Sequence, residues 1–424
     1  MLLLRVGRAC TMGWIFMDAH NPFKAKERDG KMQNREQFME QIMGLDVLDT
    51  HTHLIGDRLA AGSFWDIAHY FWLHREMQAA GYPADADQLP EAERIEAFLS
   101  SYRATRNTLM NWAVTQIFRQ LYQIELTDAA SVRAADAAVR ASAEQSGWAQ
   151  QVADKLHIRR FVVNVVEHAD FQGMDHKAVL IPRIDGRLHE WVQMVHEAEY
   201  PEHALAAVRE SIDQLLDSYK ERGCPGMMTT LPGFGTQANA AYSIRKESPK
   251  DEILMTLLHT ICSAAQRSGL FVQLFLGVER SWCGTAVPVN DPYRIVKLSG
   301  LFDQYKNVFE LVVASEINNL DTVQAAWNFP NVQLGGLWWF NFRASTYRSS
   351  MQYRLEALPA AQCSLIASDA RCIEWSYGKI LLVKRLLAEF LYEQIEKGWL
   401  DETVALQVAE EWLYKSAARR YGVV

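Results

Sequence analysis

A chain of 424 residues exceeds one small core and suits either a single large α/β barrel with insertions or two domains. Its 49% hydrophobic and 22% charged residues are ordinary for a globular protein. The net charge of -8, without clustered Lys and Arg, argues against a nucleic-acid surface, and no stretch approaches the roughly 20 apolar residues that cross a bilayer.

The opening run MLLLRVGRAC is apolar but broken by Arg5 and Arg8, which does not make the uninterrupted core of a secretory signal. The polar stretch from Asn21 to Asn34 reads as poorly ordered, Met32 is an alternative start, and residues 1–34 are expected to lie outside the fold. The six cysteines are scattered with no Cys-x-x-Cys pair, which suits reduced thiols in a cytoplasmic protein.

The apolar run Leu45, Val47, Leu48 leads into Asp49-Thr50-His51-Thr52-His53, so two imidazoles stand two residues apart where a strand gives way to a loop. Side chains at i and i+2 of a strand face one side, and two neutral imidazoles facing one way can share a divalent cation. The competing reading is two ordinary polar residues at a strand end. From Ser63 to Gln151 the pattern is helical throughout, including Trp65, Phe71, Trp72, Leu73 and Met77 at helical spacing and an Ala/Arg/Glu-rich run from Ala129 to Ala149. Residues 63–151 therefore read as a helical insertion after the first strand.

From Ile158 short apolar runs alternate with amphipathic helices. The expected strands are Arg160 to Val166, Val179 to Pro182, Gly226 to Leu231 (strand or loop), Leu270 to Leu276, Val308 to Ala314, Val332 to Leu337 and Ser364 to Ala367. The expected helices are His203 to Gly223, Glu252 to Ser268, Pro292 to Gln304, Leu320 to Asn328, Ser350 to Leu358 and the stretch from Tyr377 to Tyr421. Strand and helix in alternation predict a parallel sheet, and a count near eight favours a TIM (β/α)8 barrel over residues 35–424. Chemistry in such a barrel sits at the C-terminal strand ends, where the last strand delivers Ser368-Asp369-Ala370-Arg371. Asp369 there can complete a metal site with His51 and His53 or act as a base, and Arg371 supplies a cation for an anionic substrate. Taken alone, Asp369 reads equally well as half of a buried salt bridge.

With these residues in place the chain resembles the uronate isomerases of the amidohydrolase superfamily. DTHTHL from Asp49 is similar to that family's D-x-H-x-H-L, Ile181 to Asp185 (IPRID) to P-T-F-R-P-D, and Gln333 to Phe342 (QLGGLWWFNF) to Q-F-G-S-A-W-W-F-N-D. SDAR from Ser368 is similar to T-D-S-R, and AARRY from Ala417 to the closing N-A-K-R-Y-F. The adjacent Trp338 and Trp339 are the most diagnostic part. The resemblance implies one divalent metal, zinc first with manganese or iron as alternatives, held by His51, His53 and Asp369. It implies substrate contacts from Arg183, Arg371, Trp338, Trp339 and Arg75, and a small anionic sugar acid as partner to a homo-oligomeric enzyme.

Three departures stand out. The family's Q-L-H-I-G, whose histidine is a further ligand, corresponds to Gln273-Leu274-Phe275-Leu276-Gly277, and phenylalanine cannot bind metal. The S-D-H-G expected after Cys224 is replaced by Pro225-Gly226-Met227-Met228, without the aspartate. The family's D-H-Y-K-W-R-x-M-R helix puts Trp72 at its tyrosine position when anchored on Arg75 and Met77, or Tyr70 when anchored on His69-Tyr70, so both remain open. Glu279, Glu316, His168 and Asp170 are candidate replacement ligands, each matched by a bland reading as an ion pair or solvated loop residue. His259 reads as a satisfied core histidine, and Cys283 and Cys372 lack a paired base. The expected function is a metal-dependent aldose-ketose isomerase acting on a hexuronate, the alternatives being a hydrolase such as a sugar-acid lactonase or a non-catalytic sugar-acid-binding relative.

Overall fold

The computed structural model describes residues 34–280, 286–288, 291, 293–314, 316–338 and 343–423. The expectation about residues 1–34 thus falls, save for Asn34, outside the described residues. The strands are β1 (Val47–Asp49), β2 (Ile158–Val163), β3 (Ala178–Leu180), β4 (Gly226–Leu231), β5 (Phe271–Arg280), β6 (Ala286–Pro288), β7 (Phe309–Val313) and β8 (Val332–Leu337). β1, β2 and β3 pair in parallel as one sheet; β4, β5, β7 and β8 form a second parallel sheet, with β6 antiparallel on β5.

Parallel partners need long crossovers, and helices supply them here. The helices Phe64–Ala68, Phe71–Ala79, Glu91–Ala104, Leu109–Leu121, Ala129–Glu144 and Trp148–Lys155 all fall between β1 and β2. Later crossovers include Asp185–Glu197, Pro201–Glu221, Lys250–Ser268, Arg294–Gln304, Glu316–Asn328 and Ala344–Ala357. Every residue of β4 and β7 is buried, as expected for strands covered on both faces.

Single bridges link further segments: Arg183 pairs with Met228, Leu334 with Cys363, Leu337 with Ile366, and Thr52 with Ala370. The expected last strand, Ser364 to Ala367, is therefore an extended segment held by isolated bridges and by the hydrogen bond from Thr50 N to the Ile366 carbonyl, 3.1 Å. β5 outruns its expected end at Leu276. Gly277 reads as a breaker in sequence, but at φ +89° it accommodates an irregularity in the ladder, where the partner of Leu231 jumps to Glu279 after Thr230 pairs with Phe275. The strand then continues to Arg280 and turns back as β6.

The β5-β7-β8 register aligns Gln273, Glu310 and Gln333 in one layer. The closing helix Ser416–Tyr421 reaches this layer: Arg420 pairs with Glu310 and donates from Nε to Gln333 Oε1 at 2.6 Å, while the Tyr421 hydroxyl donates to Glu310 Oε2 at 2.8 Å. Gln273 Nε2 also reaches Glu310 Oε2, at 3.1 Å. The AARRY motif is thus a polar plug, its charges paired as buried charges must be. Two residues beyond Gln273 on the same face stands Phe275, in an inner apolar cluster with Val312, Met228 and Trp338. Gly335 is required in this packing, because a Cβ there would lie 2.7 Å from Val312 Cγ2.

Candidate metal centre

Thr50 and Thr52 send their hydroxyls to the carbonyls of Ile366 (2.6 Å) and Val162 (2.5 Å), on either side of the segment. His51 and His53, the alternate residues, both face Asp369: Nε2 of His51 lies 3.4 Å and Nε2 of His53 3.0 Å from Asp369 Oδ1. The backbone fastens the two segments together, with Asp369 N on the His51 carbonyl at 2.9 Å and His53 N on the Ala370 carbonyl at 2.7 Å. Asp49 adds a side-chain tie, its Oδ1 accepting from Ser368 N at 2.9 Å. Asp369 sits at φ +56°, a left-handed conformation in which Asp is among the few enriched side chains.

These atoms suit a divalent cation. Both ring nitrogens of His51 and the Oδ1 of Asp369 are buried and without a hydrogen bond among the described residues, although buried polar atoms normally have one. Two imidazole nitrogens and a carboxylate oxygen lying within 4.8 Å of one another are a donor set typical of zinc. Burial pushes the His51 imidazole down to about 4, so the ring is neutral and able to ligate at physiological pH. Burial pushes the Asp369 carboxyl up, but the two imidazoles and Lys379 together hold it well below the ordinary range, as an anion.

Phe275 is buried against the His51 ring, centroid to centroid 4.6 Å, and the Trp338 ring meets both, 4.5 Å from Phe275 and 5.8 Å from His51. One wall of the centre is therefore aromatic where a further ligand would stand. Phe275→His is expected to tighten zinc binding about tenfold or more, because a third imidazole enters beside His51. Competition with a chromophoric chelator measures this; unchanged affinity would mean that position 275 does not face the bound ion.

Of the two candidate phenol positions, Tyr70 reaches the centre. Its hydroxyl donates to the Asp369 carbonyl at 3.0 Å and lies 3.5 Å from Oδ2. Trp72 is half-buried at the edge of the core, its ring T-shaped against Phe71 at 4.8 Å. Burial raises the Tyr70 phenol well above its ordinary range, leaving it protonated. Tyr70 is also one wall of a cavity of about 540 Å³ lined by Arg58, Trp65, His69, His74 and Arg371, among others. Arg183 is half-buried, with both its Nε (3.3 Å) and Nη2 (2.9 Å) on Asp185. Arg75 is exposed, stacked over Phe71 with its Cζ 4.4 Å from the ring centroid, and takes no part in lining the cavity. Trp339 lies outside the described residues.

Of the replacement ligands considered from sequence, His168 and Asp170 are not gathered here, while the side chains of Glu279 and Glu316, and Cys283, lie outside the described residues. His168 is exposed and its Nε2 pairs with the Arg222 carbonyl at 3.1 Å, and Asp170 caps the turn at Gly173. His259 is a satisfied core histidine, between the Tyr305 hydroxyl at 3.0 Å and the Ala238 carbonyl at 3.2 Å. Cys224, Cys262, Cys363 and Cys372 are free and buried.

Sequence reasoning missed Lys379. It lies on the long helix Ile373–Glu396, and its ammonium donates to the Tyr70 hydroxyl at 2.6 Å and to the Ser368 carbonyl. Burial lowers its titration to about 8, against the opposing pull of Asp369 and Asp49. Every residue from Ile373 to Ile380 is buried, so a lysine there must have a buried partner.

No family model matches the chain, and no curated protein matches it. Solved structures do. A uronate isomerase from Bacillus halodurans C-125 aligns with a TM-score of 0.72 at 17% identity, over 92% of this chain and 97% of that one. A uronate isomerase from Thermotoga maritima aligns with a TM-score of 0.73 at 15% identity, over 91% and 97%. A glucuronate isomerase from Caulobacter crescentus gives 0.71 at 15% identity, over 92% and 94%. The chain shares the fold of these proteins over nearly its whole described length.

Proposed function

We propose that the protein is a divergent uronate isomerase: a metal-dependent enzyme that interconverts the aldose and ketose forms of a hexuronate such as glucuronate or galacturonate. The observation that carries this reading is the convergence of His51, His53 and Asp369 beside Tyr70, in a fold shared with three sugar-acid isomerases. In this reading β1 to β5, β7, β8 and the 363–370 segment are the eight strands of a closed (β/α)8 barrel, with β6 outside it. The bridges Arg183–Met228, Leu337–Ile366 and Thr52–Ala370 support closure, since they carry pairing from the first sheet to the second and back to the first strand. Residues 35–424 are then one barrel domain, with 63–151 inserted over its mouth.

His51, His53 and Asp369 would hold the ion, zinc in first place, which when bound polarises the oxygens of the substrate. The chain's own groups do the rest. Isomerisation requires that a proton leave the carbon beside a carbonyl and return to its neighbour, and Tyr70, a neutral phenol on the cavity wall, is the residue we assign to proton transfer at the substrate oxygens. Arg371, exposed on the cavity rim, is assigned to the sugar carboxylate, with Arg183 as a second cation whose fork Asp185 already orients. Trp338 and Phe275 pack an apolar wall against His51, which lowers the local polarity on that side of the centre and strengthens its polar contacts.

A panel of hexuronates and sugar-acid lactones, followed by proton NMR, tests the assignment. Ketouronate formation with unreacted lactones is the expected result. Lactone opening without ketouronate would make the protein a hydrolase, and binding without turnover of either would make it a sugar-acid-binding relative.

A further inference from the structure

We propose that Lys379 is a positioning residue of this centre: one ammonium fixes the turn that carries Asp369 and the phenol of Tyr70 together. The inference rests on the reading of His51, His53 and Asp369 as a metal centre, and deepens it. Lys379 is only 6% exposed and does not line the cavity, so it acts on substrate through other residues.

The contacts form a closed loop. Lys379 Nζ donates to the Ser368 carbonyl and, at 2.6 Å, to the Tyr70 hydroxyl. That hydroxyl donates onward to the carbonyl of Asp369, 3.0 Å away, the next residue after Ser368. Lysine, backbone turn and phenol thus hold one another, and the ammonium and the phenol each have two partners in the loop. The helix that carries Lys379 also supplies Trp375, one turn earlier, whose ring lies against Tyr70 at 4.4 Å. The same turn is pinned from the opposite side by Asp49 on Ser368 N at 2.9 Å, and by Ser368 Oγ accepting from Ala370 N at 3.2 Å.

The need for such a clamp follows from the backbone. A non-glycine residue in the left-handed region persists only where its surroundings over-determine it. Asp369 is in that region, at φ +56°, and its carboxylate must point at both imidazoles. Without the ammonium, the Ser368 carbonyl and the phenol oxygen lose a shared donor, and the carboxylate loses its fixed direction relative to the phenol. Metal ligands depend on such supporting bonds: their loss costs about 10- to 100-fold in metal affinity or activity. A charged lysine in this place also costs desolvation that an apolar residue would not, which argues that its donors serve the site.

The full-length protein and its variants Lys379→Met and Lys379→Arg decide the question through zinc affinity, by competition with a chromophoric chelator, and through steady-state turnover of glucuronate. Lys379→Met is expected to weaken zinc binding about 10- to 100-fold and to lower kcat by at least as much, with KM changed less than about threefold. Lys379→Arg keeps donors for both oxygens and is expected to recover most of the affinity. A folded Lys379→Met variant with unchanged zinc affinity overturns the proposal, as does an Arg variant no better than the Met one. Should Lys379→Met not fold, Tyr70→Phe, which removes the hydroxyl linking Lys379 to the Asp369 carbonyl, gives the test: zinc binding about 10-fold weaker or more is expected, and unchanged affinity there is equally fatal. Wild-type protein that binds zinc but isomerises no hexuronate removes the isomerase reading and leaves Lys379 to be judged on affinity. Wild-type protein without zinc affinity overturns both.

Discussion

Asp369→Asn is expected to lower kcat/KM on a hexuronate by about 10³-fold or more, the scale on which a preorganised electrostatic partner is felt, and to weaken zinc binding while leaving the fold intact. Among the described residues the Asp369 carboxylate is the anion on which His51 and His53 converge, and its Oδ1 is the atom both imidazoles approach. The amide keeps the shape but not the charge. The main-chain contacts survive, because Asp369 N bonds the His51 carbonyl and the Tyr70 hydroxyl bonds the Asp369 carbonyl. Asparagine also tolerates the φ of +56° at this position, so no backbone strain confuses the result. Steady-state kinetics with a thermal melt of each variant measures the effect. Retained full activity would mean the chemistry lies elsewhere.

Arg420→Met tests the opposite end of the inner core and is expected to cost about 3–5 kcal/mol of stability, because it leaves a buried anion unpaired. Glu310 is fully buried, and its carboxylate is met by Arg420, the Tyr421 hydroxyl and Gln273. Methionine fills the guanidinium's space but offers no donor, whereas removing both charges together with Glu310→Gln should restore part of the loss. Urea denaturation of the single and double variants reads the difference. A loss below about 1 kcal/mol would show that water reaches the layer.

Much of this was legible because it is written in spacing. The His51/His53 pair faces one side since alternate residues of an extended segment do so, and the parallel strands β2, β3, β4, β5, β7 and β8 were legible because their buried runs are flanked by helix formers, whereas the short antiparallel β6 was not. Other features were set by tertiary context. The last segment, Ser364 to Ala367, has a strand's composition but makes only isolated bridges, and Gly277 marks an irregular ladder where sequence suggests an end. The choice between Tyr70 and Trp72 could not be made by alignment across an insertion, whereas the contact with Asp369 distinguishes them at once. Lys379 escaped notice because a lysine at a helical position looks like surface until the first two turns of the helix, Ile373 to Ile380, are known to be buried. Arg75, a cation anchored by motif, stacks on Phe71, whose ring lines the cavity, and does not itself line it.

The same comparison clarifies what Phe275 does. Read as a missing ligand it suggests a lost function, but its ring packs on His51 and Trp338 and fixes the imidazole it touches. The centre expected from the described residues is accordingly sparse, with His51, His53 and Asp369 as its protein ligands.

The central claim is that this sparse centre isomerises a hexuronate, and the direct test is the formation of ketouronate from glucuronate and galacturonate by protein stripped of metal and titrated with zinc, manganese or iron. The account predicts that ketouronate appears in proportion to bound metal and reaches its full rate near one ion per chain. Protein carrying one ion per chain that forms no ketouronate from either sugar acid would contradict it.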